Sequence, residues 1–472
     1  MTEGGDARIV LDPATGLNRY YSAPRPSEVI AYASSTANDV STDAFAHVGA
    51  VLAELAGGLD GGAYAKRLEG LRARIRRAYS LAQDVAIVFS PSGTDLEYVG
   101  LAAVEGRGAE GTHNILLGAD EVGSGCIHSA YGRYFAEETA LGVEVRPGEP
   151  VPGFGDTRVE MIDIPVRDPH GRPRPSAEIA ERMDSAIVGA RAAGRHVLIH
   201  AVHGSKTGLI LPSLDDLDAL SARHGDAATV LVDACQARIT ADAIADYLGR
   251  GAMVFVTGSK FMGGPPFSGF ALVPAALADA APRLPEGLAT IFARAEWPAG
   301  WPGAERLPES ANPGLLLRLE AAIFELERFQ LLPPETVERV VLCFHAAVRS
   351  EIIEPTAARR VAPYPPGESE EAEIHPIEMR TLSTLDLTGL GSGAATFEDA
   401  TRWHKALLAH GVRLGQPVKC VKLPDGSWGA TLRIALSMPL VVTRAGLDDA
   451  ALEASFRGDM RRIRQALLAV SG

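Results

Sequence analysis

Five short apolar runs recur between residues 85 and 274: VAIVF (85–89), HNILLGA (113–119), HVLIHAV (196–202), TVLVDA (229–234) and MVFVTG (253–258). The stretches between them, such as SAEIAERMDSAIVGARAAG (176–194) and SLDDLDALSARHG (213–225), read as helices. Apolar strands separated by helices predict a largely parallel sheet covered on both faces, since a strand buried on both sides has no polar face to show. Ligands of such sheets gather at the carboxyl ends of the strands, where loops lead into helices. SPSGTD (90–95), DACQ (233–236) and TGSK (257–260) each follow one of these runs directly, so they are expected to meet at one edge of the sheet.

At 472 residues the chain is too long for one compact core. The Pro/Gly-rich run at 297–314 reads as a long connection, and the helical stretch LLLRLEAAIFELERFQ (315–330) follows it. PTAARRVAPYPPGESEEAEIHP (355–376) reads as an exposed loop. The expected organisation is an N-terminal segment (1–70) that packs on the large domain or a partner subunit, a large α/β domain (71–315) and a smaller α/β domain (316–472).

Lys260 is one of only six lysines in a chain that otherwise prefers arginine, and it stands between Ser259 and a Gly/Pro-rich loop. A lysine amine forms an imine with an aldehyde when burial or cationic neighbours lower its pKa, which a guanidinium does not do. The alternative is a solvated surface lysine. Asp233 ends an apolar strand, where a carboxylate needs a cationic or hydrogen-bonding partner; a protonated pyridine nitrogen is one, and an N-cap role for the helix ITADAIADYL (239–248) is the other reading. Gln236 reaches the same region. Ser92, Gly93 and Thr94 sit at a strand-to-helix turn where free backbone N–H groups, hydroxyls and the helix dipole favour an anion, though such turns also cap helices that bind nothing.

Taken in order, S-G-T, D-x-x-Q and T-G-S-K followed by Gly264-Pro265 resemble the fold type I pyridoxal-phosphate enzymes, in the class V aminotransferase and cysteine desulfurase branch. SKTGLILP (205–212) is similar to that branch's N-x-x-G-x-x-x-P segment, with Ser205 at the asparagine position, and LRIALS (432–437) is similar to its late arginine strand. The resemblance covers residues 85–270 well and the rest loosely. It implies an aspartate aminotransferase-like fold, with a three-layer αβα large domain, a mostly parallel sheet and a smaller C-terminal α/β domain. It also implies pyridoxal 5'-phosphate as cofactor, held as an internal aldimine on Lys260. Asp233 would pair with the ring nitrogen and Gln236, helped by Ser205, would bond the phenolic oxygen. Ser92, Gly93, Thr94, Thr257 and Ser259 would bind the phosphate. Arg433 is either the fork for a substrate carboxylate or an interface arginine. The implied activity is transamination of an amino acid or amine, in a homodimer. Lyase chemistry (elimination or replacement) on the same cofactor is the alternative, and a cofactor-free binding relative is the non-enzyme rival. Ser310 and Asn312 fall where a cross-subunit phosphate contact is expected.

The chain departs from the branch in three places, one of them Ser259, which stands before the lysine where the branch has a histidine. Val122 follows Glu121 where the branch places a ring-stacking histidine, so that group is either missing or supplied from elsewhere, with His128 and His203 as candidates; Cys420 lies in the region of a desulfurase nucleophile without the matching motif. HGSKTG (203–208) fails as a phosphate-binding P-loop because Ser205 replaces the required glycine, so Lys206 is not expected to hold a nucleotide. The formal charge of −14 argues against nucleic acid as a partner. No apolar run is long enough to span a bilayer and the start lacks a basic region followed by an apolar one, so a cytoplasmic protein is expected. Cys126, Cys235, Cys343 and Cys420 are scattered without metal-ligand spacing, which suggests neither a disulfide framework nor a metal site.

Overall fold

The computed structural model describes residues 1–33, 38–55, 57–119, 121–123, 125–154, 158–365, 377–391 and 393–472. Its strands in chain order are β1 (Ile30–Tyr32), β2 (Ala86–Ser90), β3 (Thr112–Leu117), β4 (Val159–Ile164), β5 (His196–His203), β6 (Ile210–Leu211), β7 (Ala228–Asp233), β8 (Met253–Thr257), β9 (Gly269–Val273), β10 (Arg359–Val361), β11 (Leu382–Asp386), β12 (Val412–Leu414) and β13 (Thr431–Ala435). The large sheet has the order β2-β9-β8-β7-β5-β3-β4, with β6 folded back on β5. Its β4/β3, β3/β5, β5/β7 and β7/β8 pairs are parallel, while β9 runs antiparallel to both β2 and β8.

All five expected runs form strands of this sheet, and the two quoted helical stretches form helices at Ser176–Ala192 and Leu214–His224. The sequence reading did not anticipate β4 and β9. β4 lies at the sheet edge with its central residues partly exposed, so its sequence VEMIDI carries acids among the apolar residues. β9 is wholly buried but only five residues long, and it follows a Gly/Pro-rich loop that masks its start.

Side-chain alternation along the strands feeds two different cores. Val254 and Val256 of β8 and Phe270 and Leu272 of β9 enter one cluster, while Met253, Phe255, Ala271 and Val273 enter the other. Each fully buried side chain of this size contributes roughly 1.5–3 kcal/mol. The first cluster continues through the helix Pro313–Gln330 to Leu385, Leu432 and Ile434 of the antiparallel sheet β10-β11-β13, so the large and C-terminal parts share one core. The N-terminal segment joins the C-terminal part through the parallel pair β1/β12. Within the Pro/Gly-rich connection, Trp297 and Trp301 are buried and meet edge to face at 5.0 Å. Arg359–Val361, inside the expected exposed loop, is strand β10; residues 366–376 of that loop lie outside the described residues. Among the described residues no helix is long and apolar enough to cross a membrane.

The helix Gly61–Ala78 is fastened to the large sheet by buried polar groups. Arg72 donates to the carbonyls of Ile87, Ala295 and Glu296 at 2.8–3.0 Å, and the Tyr64 hydroxyl donates to Glu296 at 2.9 Å. Burial pushes the Glu296 carboxyl up to about 8, although Tyr64 and the Ala293 N–H pull the other way. The folded chain therefore keeps a proton that the unfolded chain releases, so this stability is fully present below the ordinary carboxylate pKa and is lost as pH rises through about 8. A Glu296→Gln variant should show a shallower fall in thermal midpoint between acid and mildly alkaline pH than the parent chain. Identical pH slopes for the two proteins would refute this assignment.

Candidate functional site

The register of the sheet brings the sequence motifs together. Ser90 pairs with Gly269 and Gly269 with Thr257, while Asp233 pairs with Phe255 on one side and Val202 on the other. The loops after β2, β7 and β8 consequently leave the sheet at one edge, where a cavity opens. Of the ten residues assigned to the cofactor and substrate within one chain (Ser92, Gly93, Thr94, Ser205, Asp233, Gln236, Thr257, Ser259, Lys260 and Arg433), all but Ser205 line this cavity.

Asp233 ends β7, and its Oδ1 accepts the Cys235 N–H at 2.8 Å. It does not cap the following helix, because Thr240 fills that position by accepting the Ala243 N–H at 3.0 Å. Gln236 is held by Arg238, which is fully buried: the guanidinium donates to the Gln236 side-chain oxygen at 3.1 Å. A guanidinium only donates, so it takes the amide's oxygen and leaves the NH₂ as the end that can donate elsewhere. Arg238 also donates to Thr381 at 2.9 Å and to the Leu436 carbonyl at 3.2 Å, tying the loop after β7 to the C-terminal part. Burial, with Arg433 adding to it, brings the Arg238 guanidinium down to about 9.

The turn after β2 is organised by its own side chains. The Ser92 hydroxyl donates to Asp95 and accepts the N–H groups of Thr94 and Asp95 at 3.2 and 3.3 Å. A Cβ on Gly93 would stand 2.7 Å from Thr257 Cγ2, and Thr257 is itself fixed by its hydroxyl donating to the Cys235 carbonyl at 2.6 Å. The backbone at Gly93 is therefore brought against β8 as only glycine permits. Burial pushes the Asp95 carboxyl up to about 7, although the Ser92 hydroxyl and Arg8 favour its ionised form.

Lys260 lies on the cavity wall just past β8, and its carbonyl accepts from the Asn38 amide. Arg433, on β13, reaches the same wall from the C-terminal part. Its Nε donates to the Gln416 carbonyl at 3.0 Å and its Nη1 to the Lys206 carbonyl at 3.2 Å. Burial lowers the Arg433 guanidinium to about 10, against the opposing pull of Glu121.

Ser205 turns away from the cavity into a buried polar knot. Its hydroxyl donates to Glu121 at 2.8 Å, and the same carboxylate accepts from Arg167 at 2.8 Å and from the Thr207 N–H at 3.0 Å. Neither histidine substitute faces the cavity: His128 is exposed, and His203 is buried in a 3.1 Å hydrogen bond with the Tyr247 hydroxyl. Gly123 and Cys126 occupy the cavity wall instead, in the segment after β3. Asn312 is engaged within its own chain, donating to the Gly4 carbonyl at 3.1 Å while capping the helix Pro313–Gln330. Cys420 is buried and its thiol is pushed up to about 12, first by burial, so it is not a ready nucleophile.

Several wall residues carried no signal that a single sequence could show. Arg8 and Tyr20 come from the N-terminal segment. Arg8 is gripped by Asp6 at 2.7–2.9 Å and lies 4.6 Å over the Phe267 ring. The segment is pinned by the fully buried Arg318, which donates to the carbonyls of Met1, Glu3 and Gly4 at 2.6–3.0 Å. Lys206, set aside as a nucleotide ligand, also lines the cavity.

No protein-family model and no curated protein matches the chain. Solved structures do match. Ureidoglycine-glyoxylate aminotransferase from Bacillus subtilis aligns over 94% of this chain and 98% of its own, with 14% identity and a TM-score of 0.54. Serine palmitoyltransferase from Sphingomonas wittichii aligns over 96% and 94%, with 14% identity and a TM-score of 0.51. A structure of SPT with PLP aligns over 97% and 91%, with 15% identity and a TM-score of 0.52. The chain has the fold of type I pyridoxal-phosphate enzymes. At this identity the likeness carries the architecture, and the chemistry rests on the cavity.

The contact at Gly93 is open to a direct test. Gly93→Ala should destabilise the protein by about 1–3 kcal/mol through overpacking against Thr257. Adding Thr257→Ser removes the opposing methyl and keeps the hydroxyl, so the double variant should recover part of the loss in chemical denaturation. A double variant as unstable as the sum of the two single changes would rule out this contact as the cause.

Proposed function

We propose that the protein is a pyridoxal-phosphate-dependent enzyme acting on an amino acid or amine, and that it is an aminotransferase. The observation that carries this reading is the convergence of Lys260, Asp233 and the Ser92–Gly93–Thr94 turn on one cavity. The donor set fits the cofactor. The close backbone approach at Gly93 leaves a cradle at a strand-to-helix turn suited to a phosphate. Asp233 offers a carboxylate to a protonated ring nitrogen, and Gln236 offers an N–H donor to the ring's oxygen.

When bound, the cofactor withdraws electrons from the carbon that carries the substrate's amino group. The remaining work falls to the chain. Lys260 would hold the cofactor covalently through Nζ and, once free, would move the proton from that carbon to the far side of the amino nitrogen, as amino-group transfer requires. Asp233 would keep the ring nitrogen protonated, with one oxygen already steadied by the Cys235 N–H. Arg433 would receive the substrate carboxylate; its Nε and Nη1 are anchored to carbonyls, which fixes the plane of the guanidinium. Arg8 and Tyr20 line the cavity from the N-terminal segment.

Phe45 and Leu52, 44% and 55% exposed on the helix Thr42–Glu54, offer apolar surface for the second copy of a homodimer. The free cysteines are compatible with a reducing, cytoplasmic setting.

Borohydride reduction after incubation with pyridoxal phosphate, followed by peptide mass mapping, tests the assignment. The cofactor mass should be found on the peptide containing Lys260 and should disappear in Lys260→Ala. Labelling confined to Lys206 would overturn the proposal. Asp233→Asn should still be labelled, while single-turnover rates with a reactive amino acid fall by at least roughly 100-fold, as for loss of a group placed to stabilise developing charge. An unchanged rate would remove Asp233 from the proposed chemistry.

A further inference from the structure

The phosphate cradle of the function proposed above, on which this inference rests, has few donors to give and no cation. The Ser92 hydroxyl is committed to Asp95 and to the N–H groups of Thr94 and Asp95, and the Thr257 hydroxyl to the Cys235 carbonyl. Ser92, Gly93, Thr94, Thr257 and Ser259 are all neutral, and Asp95 is an acid buried in the same turn. An anion placed there, out of water and beside a carboxyl group, costs free energy unless a cation meets it.

The contact expected from a partner subunit is engaged elsewhere. Asn312 accepts the Leu315 N–H at 2.9 Å and donates to the Gly4 carbonyl at 3.1 Å, so both ends of its amide are taken, and the Ser310 hydroxyl oxygen is buried. That amide fastens the first residues of its own chain. A Cβ on Gly314 would lie 1.9 Å from the Glu3 carbonyl oxygen, so the N-terminal segment is seated on the helix Pro313–Gln330 more closely than any other residue would allow. Arg318 of the same helix donates to the Met1, Glu3 and Gly4 carbonyls and, through Nε, to the carbonyl of Phe267. Phe267 has a φ of 72°, a left-handed backbone that bulky residues seldom adopt. One guanidinium thus fixes both the segment and the ring beneath it.

This arrangement delivers Arg8. Its guanidinium carbon lies 4.6 Å from the centre of the Phe267 ring and 5.1 Å from that of Phe135. Phe267 stands two residues before β9, and β9 lies between β2 and β8, whose loops form the cradle. Arg8 is therefore on the phosphate side of the cavity, and it favours the ionised form of Asp95 in the turn. Arg433 is on the other side of Asp233, bonded to the Lys206 carbonyl in the turn between β5 and β6. The ion pair with Asp6 orients Arg8: the carboxylate takes Nε and Nη2 at 2.7–2.9 Å, which fixes the plane of the fork and leaves Nη1 outside that grip. A guanidinium held along one edge and flat against a ring presents its other edge in a set direction, as recognition of a phosphate oxygen requires.

We propose that Arg8, carried by the N-terminal segment of the same chain, closes over the cofactor's phosphate and supplies the positive charge that the strand-to-helix turn lacks. Retention of the cofactor then depends on how firmly Arg318 and Asn312 hold residues 1–4.

The test measures equilibrium binding of pyridoxal 5'-phosphate and of pyridoxal, which lacks the phosphate, to the full chain, read by the visible absorption each aldehyde gains on the protein. The parent should prefer the phosphorylated form. Arg8→Gln should weaken pyridoxal 5'-phosphate about tenfold or more, as for loss of a charge-assisted hydrogen bond, and leave pyridoxal within about twofold. Arg8→Lys keeps the charge without the fork and is read in its place should the glutamine variant not fold; it should lose a smaller part of the same preference and spare pyridoxal. Equal weakening of both aldehydes in the variant read would overturn the proposal, because Arg8 would then only hold the segment in place. So would unchanged affinity of that variant for pyridoxal 5'-phosphate, or a parent that binds the two aldehydes alike; both results leave the chemistry assigned to Lys260 standing. A parent that gains no absorption from either aldehyde defeats the functional reading together with this inference.

Discussion

Everything at this site depends on a parallel sheet buried on both faces. Inside such a sheet the backbone groups satisfy one another and β5 and β8 are buried along their whole length, so most of their side chains are apolar and a polar one needs a partner, as His203 finds in Tyr247. Polar side chains can be crowded only where the strands stop and their loops begin. Asp233 is the last residue of β7, and Lys260 lies three residues beyond the end of β8. Because β7 and β8 are neighbours, a carboxylate and an amine from separate loops face the same cavity without any contact between them being encoded locally in the chain.

Two buried guanidinium groups convert that edge into an enclosed space. Arg238 links the loop after β7 to Thr381 and Leu436 of the C-terminal part, and Arg318 links the helix Pro313–Gln330 to the first residues of the chain. Both are fully buried, and burial weakens their hold on the proton, Arg318 as far as about 9. The desolvation cost of such groups is offset only when the donors of the guanidinium meet acceptors, and here these are mainly backbone carbonyls that would otherwise need partners themselves. Arginine suits this joint because its fork spans several carbonyls at once, which a lysine ammonium does with less geometric definition.

The parallel sheet and the three motifs were legible because each is local: an apolar run ends, and a small or charged residue follows. What escaped the sequence reading depends on distance along the chain. Arg8 and Tyr20 belong to a segment with no periodic pattern, and they reach the cavity only because Arg318 and Asn312 hold residues 1–4 in place. β4 was missed because an edge strand carries polar residues, and β9 because five residues after a Gly/Pro loop give too short a pattern. Ser205 shows the opposite failure. Its position matched a motif, but whether a serine side chain faces a cavity or a buried acid is decided by Glu121 and Arg167, which lie far away in sequence. Lys206, its neighbour, was dismissed for a nucleotide role and takes the cavity-facing place.

The bond from Arg238 to Gln236 has a mechanical meaning as well as a chemical one. A carboxamide has a hydrogen-bond donor at one end and an acceptor at the other, and Arg238 decides which end is turned inward. The same guanidinium is seated on the C-terminal part through Thr381 and Leu436. Were those seats to slide, Gln236 would be free to rotate half a turn, and the wall of the chamber would swap the polarity it offers there. In this protein the direction of one amide dipole and the seating of the C-terminal part are tied together through the Arg238 side chain.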